Sequence, residues 1–234
     1  MERELGTILG IWAHPDDEAY LSGGLMAAAR DRGDRVVVVT ATAGERGTPD
    51  PQRWPPDRMA ALRRTELDRC LEILGVDEHH WLDYPDGECA SVPLPEAVAR
   101  LSEFIAEVRP DTVLTFGPDG ITGHPDHRAV AAWAATAFDR AAQPSARLLQ
   151  AAANEGWARR FASMHDEFEM FLPGYPIVAA EHQLALHLVL PDEAVERKVR
   201  ALAAQESQTA ALIASIGADA YAAWVREEAY LRRH

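Results

Sequence analysis

The chain has 234 residues, 47% of them apolar, and a net charge of −14. That is enough apolar material for one sizeable core. The acidic balance argues against nucleic acid and against anionic membrane surfaces, both of which select basic patches.

Met1-Glu2-Arg3-Glu4 carries no secretory pattern and runs straight into an apolar run, Thr7–Trp12, that reads as the first strand. Pro15 suits the first position of a helix, with Asp16, Asp17 and Glu18 in its first turn, running to about Arg30 before Gly33. Val36–Ala41 is β-branched, as expected of a strand covered on both faces. The Gly- and Pro-rich stretch Thr42–Pro56 reads as a functional loop. Asp57 opens a helix to about Leu74, with an apolar stripe through Met59, Leu62, Leu67 and Leu71, ended by Gly75.

A short strand follows at His79–Leu82, then a turn, Tyr84-Pro85-Asp86-Gly87. Pro95–Val108 is a helix, Thr112–Phe116 a strand, and Pro125 to about Asp139 an Ala-rich helix. Beyond Gln143 the expectations are a strand over Leu148–Ala153, a helix over Trp157–Phe168 and strand material within Tyr175–Leu190. Helices are expected from Asp192 to about Ile216 and over Asp219–Leu231. The two cysteines, Cys70 and Cys89, give no disulfide framework. No apolar run approaches the roughly 20 residues of a membrane span, so a cytoplasmic protein is expected.

The alternation predicts a Rossmann-like, doubly wound, mostly parallel sheet with helices on both faces. It forms a single domain, with a core over 1–143 and a C-terminal α/β extension over 144–234. In the order 3-2-1-4-5 the first and fourth strands are neighbours at the switch point, where ligands bind. Each is followed by a histidine motif: Ala13-His14-Pro15-Asp16-Asp17-Glu18 and Gly123-His124-Pro125-Asp126-His127.

Acidic residues in a first helical turn are explained by the helix dipole alone. Two His-Pro-Asp triplets, each between a strand and a helix, are not. His124 and His127 are three apart and share one side of a helical turn. Two imidazoles and a carboxylate make a three-ligand zinc site with an open position, the catalytic kind. One set is His14, Asp17 and His127, leaving Asp16 as a general base; spacing does not separate Asp16 from Asp17 as the ligand. His124 is placed to act on an oxyanion or a leaving group, and Asp126 to orient an imidazole. Such a donor set also accepts other divalent ions. His79, His80, His165, His182, His187 and His234 have no paired motif and read as structural or surface residues.

The two motifs resemble the signatures of the PIG-L/LmbE-like family of zinc-dependent de-N-acetylases acting on N-acetylglucosamine-type conjugates. The resemblance implies zinc on His14, Asp17 and His127, Asp16 as base, His124 on the oxyanion or leaving group, and Asp126 behind a histidine. Thr42–Gly47 is similar to the family's Gly-Glu loop. Arg63-Arg64-Thr65-Glu66-Leu67 resembles its Arg-x-x-Glu-Leu helix, which implies Arg63 as a substrate contact. Tyr84–Gly87 resembles its next loop, which implies Asp86 near a sugar hydroxyl. Lys198, Ala201 and Gln205-Glu206-Ser207-Gln208 resemble a C-terminal helix motif, in which Gln205 stands where the family often has histidine. Thr122 stands where some mycothiol-pathway members have tyrosine.

The implied partner is a small amino-sugar conjugate, with homo-oligomerisation open. A metal-containing sugar-binding module without turnover is the alternative. A nucleotide-binding oxidoreductase is disfavoured, because no Gly-x-Gly-x-x-Gly opens the first helix.

Overall fold

The computed structural model describes residues 5–233; the readings made of Met1-Glu2-Arg3-Glu4 and of His234 lie outside the described residues. In chain order the elements begin β1 (Ile8–Trp12), α1 (Asp17–Asp31), β2 (Val36–Thr40), α2 (Pro56–Leu74), β3 (Glu78–Trp81), α3 (Leu94–Val108), β4 (Thr112–Phe116) and α4 (Pro125–Ala141). They continue β5 (Arg147–Ala151), β6 (Ala153–Asn154), α5 (Glu155–Arg160), α6 (Ala162–Glu167), β7 (Val178–Ala179) and β8 (Leu186–Val189). The chain closes with α7 (Asp192–Ala203), α8 (Glu206–Ile216), α9 (Ala218–Trp224) and β9 (Glu227–Arg232).

Seven strands form one sheet in the order β3-β2-β1-β4-β5-β9-β8. The first five are parallel, and β9 runs antiparallel to both β5 and β8. Every residue of β1, β2 and β4 is buried. Their uninterrupted apolar sequences suit strands with helices on both sides: α1, α2 and α7 pack on one another, as do α3 and α4. The expected mostly parallel, doubly wound α/β fold is what the chain adopts. The β1–β4 register, Ile8 opposite Thr112, brings the two histidine motifs out side by side.

Several expectations for the segment after Gln143 differ from the structure. The Asp219–Leu231 helix stops at Trp224, and Glu227–Arg232 is a strand. Its Glu-Glu-Ala-Tyr-Leu sequence has good helix formers, but pairing on both sides and burial of Glu228 and Tyr230 override that weak preference. The 192–216 helix is broken at Gln205, whose backbone leaves the helical region (φ −94°, ψ 54°) while its side chain donates to Glu18 Oε1 at 2.9 Å. The 157–168 helix is broken at Phe161 (φ −109°). Within 175–190 only Val178–Ala179 and Leu186–Val189 are strands.

Candidate active site

His14 leaves the end of β1, Asp17 opens α1, and His124 and His127 lie at the start of α4. His14 Nδ1 is 3.1 Å from His127 Nε2 and 3.6 Å from Asp17 Oδ2, and His127 Nε2 is 3.4 Å from Asp17 Oδ1. A tetrahedral site with bonds near 2.1 Å separates its ligand atoms by about 3.4 Å. These three groups therefore surround a hole of the right size.

The remaining nitrogens fix how the rings point. His127 Nδ1 meets the Gly120 carbonyl at 3.0 Å. A carbonyl only accepts, so Nδ1 carries the proton and Nε2 offers its lone pair. Burial holds this imidazole neutral, with its pKa down at about 4, and Phe116 stacks on it at 4.3 Å. His14 Nε2 lies 3.2 Å from both Asp126 Oδ2 and Asp86 Oδ1, which again leaves Nδ1 to face the cluster. Asp126 is itself locked by the main-chain N–H groups of Gly87 and Cys89, which donate to it at 2.7 and 3.1 Å. Burial opposes a charge on His14, but hydrogen bonds to Asp126 and Asp86 and the charge of Asp17 lift its pKa to about 10. The carboxylates thus make this a place that favours positive charge.

Two other donor groupings overlap here, His14 with His124 and His127, and His14 with Asp86 and Asp126. Asp86 and Asp126 sit on the opposite edge of the His14 ring from Asp17 and His127. With His14 deprotonated, as a metal would require, two imidazole nitrogens and a carboxylate would face one point, a donor set that suits a divalent metal ion.

Asp16 does not occupy the first turn of α1 as expected; it stands before it with φ 104°, a conformation strained for a non-glycine residue. Its N–H donates to Glu18 Oε2 at 3.0 Å, and Arg63 Nη2 donates to its Oδ2 at 3.1 Å. Burial pushes its pKa up to about 7, against the pull of the Arg63 charge. His124 Nδ1 accepts the Asp126 N–H at 3.2 Å, so in the neutral ring Nε2 is the protonated nitrogen.

Arg63 is buried (4% exposed) and also donates to the carbonyls of Pro15 and Gly44. It braces the turn that holds Asp16. Gly44 is glycine for this reason: its φ is +63°, and a Cβ there would collide with the guanidinium. Asp86 lies within reach of His14, and its Oδ2 accepts the Arg46 N–H at 2.8 Å while its own N–H donates to Glu45 Oε1 at 2.8 Å.

From the sequence, Glu18 is placed only in a first helical turn, Glu45 only in the Gly-Glu loop, and Gln205 only where the family often has histidine. Glu45 joins the Gly44–Arg46 and Tyr84–Gly87 loops. Glu18 is fully buried and bonded to Gln205 beneath α1, so Gln205 faces the inside of the fold. Tyr20, Trp157, Phe171 and Trp224 line a cavity of about 280 Å³ that reaches Asp17 and His127. The tryptophans are 67 positions apart, and no motif announces them.

Fold and cluster together define a Rossmann-like α/β protein with a His/Asp site for a metal ion at the carboxyl edge of its sheet. Residues 9–138 match the PIG-L family of GlcNAc-PI de-N-acetylases, and the chain belongs to that family. A 1D-myo-inositol 2-acetamido-2-deoxy-alpha-D-glucopyranoside deacetylase of Kineococcus radiotolerans is 36% identical over 148 residues, 51% of this chain and 41% of that protein. The chain spans about half the length of the curated relatives it matches. The structure of N,N'-diacetylchitobiose deacetylase from Pyrococcus horikoshii shares the fold, with a TM-score of 0.71 and 22% identity over 97% of this chain and 83% of that one. So does the 4-carboxy-2-hydroxymuconate hydratase GalB of Pseudomonas putida, with a TM-score of 0.63 and 18% identity over 98% of this chain and 96% of that one. The fold therefore does not choose the reaction; the residues at the sheet edge do.

Proposed function

We propose that this chain is a zinc-dependent hydrolase that removes an acetyl or other small acyl group from the amide of an N-acetylglucosamine-type conjugate. The observation that carries the reading is a carboxylate, Asp16, held by Arg63 directly beside the His14–Asp17–His127 cluster. The family and the named activities of the relatives support the same substrate class. The proposed unit is one domain, with the segment after Gln143 completing the site's walls. No helix among the described residues is long and apolar enough to cross a membrane, which is compatible with action in the cytoplasm.

A zinc ion held by His14, Asp17 and His127 would polarise the amide carbonyl and bring the pKa of a neighbouring water to about 7. Asp16 takes the proton of the attacking water at Oδ1, the oxygen that Arg63 does not hold. A carboxylate whose pKa burial lifts toward neutrality suits that role. His124 presents Nε2–H to the carbonyl oxygen as it gains charge, and the proton that Asp16 has taken from the water passes to the departing amine. Asp126 and Asp86 hold the far nitrogen of His14 and so keep Nδ1 aimed. Arg63 acts through Asp16 as a positioning residue, and Asp86 stands where a sugar hydroxyl would pass.

The test is amine release from free N-acetylglucosamine and its inositol, malate and chitobiose conjugates, with and without chelator. Chelator-sensitive release from any of them establishes the activity. A protein that binds zinc and these sugars yet releases no amine would instead be the non-catalytic binding module.

A further inference from the structure

We infer that the acyl half of the substrate is larger and more apolar than acetyl, because the cavity opening from the metal cluster is built for a medium-length hydrocarbon group. The inference rests on the hydrolase reading above and deepens it.

The sheet order separates the two flanks of the cluster. On the β2–β3 side stand the loops carrying Glu45, Arg46, Asp86 and Glu88. A second cavity on that side, about 270 Å³, is lined by Glu45, Asp57, Arg64, Asp83 and Tyr84 among others. Hydroxyl-rich groups find partners there. On the β5–β9 side the cavity of about 280 Å³ begins at Asp17 and His127 and runs between Tyr20, Leu21, Phe171, Trp157 and Trp224, with Ala151–Ala153 as its floor.

The side-chain polar atoms of Trp157, Trp224, Asn154 and Glu228 on this second wall already have partners. The Trp157 indole N–H donates to the Trp224 carbonyl at 2.9 Å, and the Trp224 N–H donates to His165 Nε2 at 3.1 Å. Asn154 donates to Glu227 Oε2 and accepts from the Trp157 N–H. Glu228 is held by Lys198 and two main-chain N–H groups. A sugar placed there would lose hydrogen bonds to water without recovering them, whereas an acyl chain loses none.

An amide laid across Asp17 and His127 therefore puts its sugar toward Asp86 and its acyl group between the tryptophans. A cavity of about 280 Å³ is many times larger than an acetyl methyl needs. The reaction is ordinary amide hydrolysis. The water oxygen bonds to the acyl carbon, the C–N bond breaks, the amine takes a proton, and the acyl group leaves as its carboxylic acid.

The experiment compares N-acetyl, N-butanoyl, N-hexanoyl and N-octanoyl glucosamine as substrates of the zinc-loaded protein. Each added methylene up to hexanoyl raises kcat/KM about fourfold, corresponding to about 0.8 kcal/mol for a buried methylene. Ala152→Leu and Leu212→Trp, which narrow the cavity from two sides, lower the hexanoyl-to-acetyl ratio at least tenfold, an estimate of order from losing two or more methylene sites. In parallel, octanoate quenches tryptophan fluorescence in the parent and not in Ala152→Leu, with Trp157→Phe identifying the reporter.

Acetyl turned over faster than hexanoyl overturns the inference and leaves the hydrolase. Rates that follow the aglycone, tested with benzyl and octyl N-acetylglucosaminides, overturn it by giving the cavity to the other half of the substrate. No amine from any substrate overturns the hydrolase reading, and the octanoate titration then decides the cavity by itself: quenching supports an acyl-binding cavity, and its absence removes it.

Discussion

Arg63 Nη2 lies 3.1 Å from Asp16 Oδ2, with the arginine side chain 5% exposed and Asp16 at φ 104°. A residue brought from α2 thus holds an unfavourable backbone turn at the mouth of α1. The guanidinium spans three acceptors, Asp16 and the Pro15 and Gly44 carbonyls, which a lysine's point charge does not reproduce. Arg63→Lys should lower kcat for amine release about 10- to 100-fold, the scale of a misplaced catalytic group, with zinc stoichiometry unchanged. Loss of metal along with activity would show that Arg63 supports the ligands and not the base.

Asp16→Asn keeps the shape and removes the basic oxygen. Turnover should fall by about 100- to 10,000-fold, the usual contribution of general base catalysis. Zinc content by metal analysis should stay at one per chain, because Asp17 and not Asp16 faces the histidines. Unchanged turnover would sink the assignment.

Metal removal reads the same site from the other side. Chelation should abolish amine release and lower Tm, since a ligand of the folded state stabilises it. Added zinc should restore both. In His127→Ala the bound zinc itself should be lost, and Tm should no longer respond to chelator.

The pH dependence of stability has a contribution remote from the site. His79 on β3 accepts or donates a hydrogen bond with buried Thr40 at 2.9 Å and packs its ring against Trp81. Burial, with the charges of His80 and Arg64 adding to it, brings its pKa down from 6.5 to about 4. The depressed value means that the unfolded chain takes up the proton first as pH falls. Stability is therefore fully present above about 6.5 and declines between 6.5 and about 4, by at most about 1.4 kcal/mol per pH unit. Denaturant unfolding of His79→Gln should lack this share of the slope. Identical pH profiles for variant and parent would remove it.

What was legible in the sequence was whatever depends on local pattern. The β-branched run Val36–Thr40 and the apolar run Thr112–Phe116 are buried strands for reasons visible in their own residues. The strand–His-Pro-Asp–helix repeat placed two motifs at one sheet edge before any coordinates. What was not legible depends on partners far along the chain. Glu227–Arg232 becomes a strand because β5 and β8 flank it. Gln205 turns inward because Glu18 waits beneath α1. Arg63, for which the resemblance implies a substrate contact, is buried against Asp16, and only the fold reveals that burial. The aromatic cavity is assembled from α1, α5, α8, α9 and β9 and has no local signature.

The buried pair Lys198–Glu228 supplies the last prediction. Both side chains are fully buried, and Lys198 Nζ lies 2.7 Å from Glu228 Oε1. Burial lowers the lysine's pKa and the glutamate partly restores it. The two partners are not equivalent. Glu228 also accepts the N–H groups of Gly24 and Leu25 at 2.7 and 2.9 Å, tying β9 to the middle of α1, whereas among the described residues the Lys198 ammonium donates to Glu228 alone. Lys198→Met therefore leaves Glu228 with two donors, while Glu228→Leu leaves a buried cation and takes the carboxylate away from two α1 N–H groups. Breaking a buried pair costs about 3–5 kcal/mol. The glutamate variant should sit at or above the top of that range and the lysine variant at or below the bottom. The double variant should be closer to Glu228→Leu than to Lys198→Met, because the two α1 N–H groups still lack the Glu228 carboxylate. Equal losses in the two single variants would mean that the charge pair alone matters and that the contact with α1 contributes nothing.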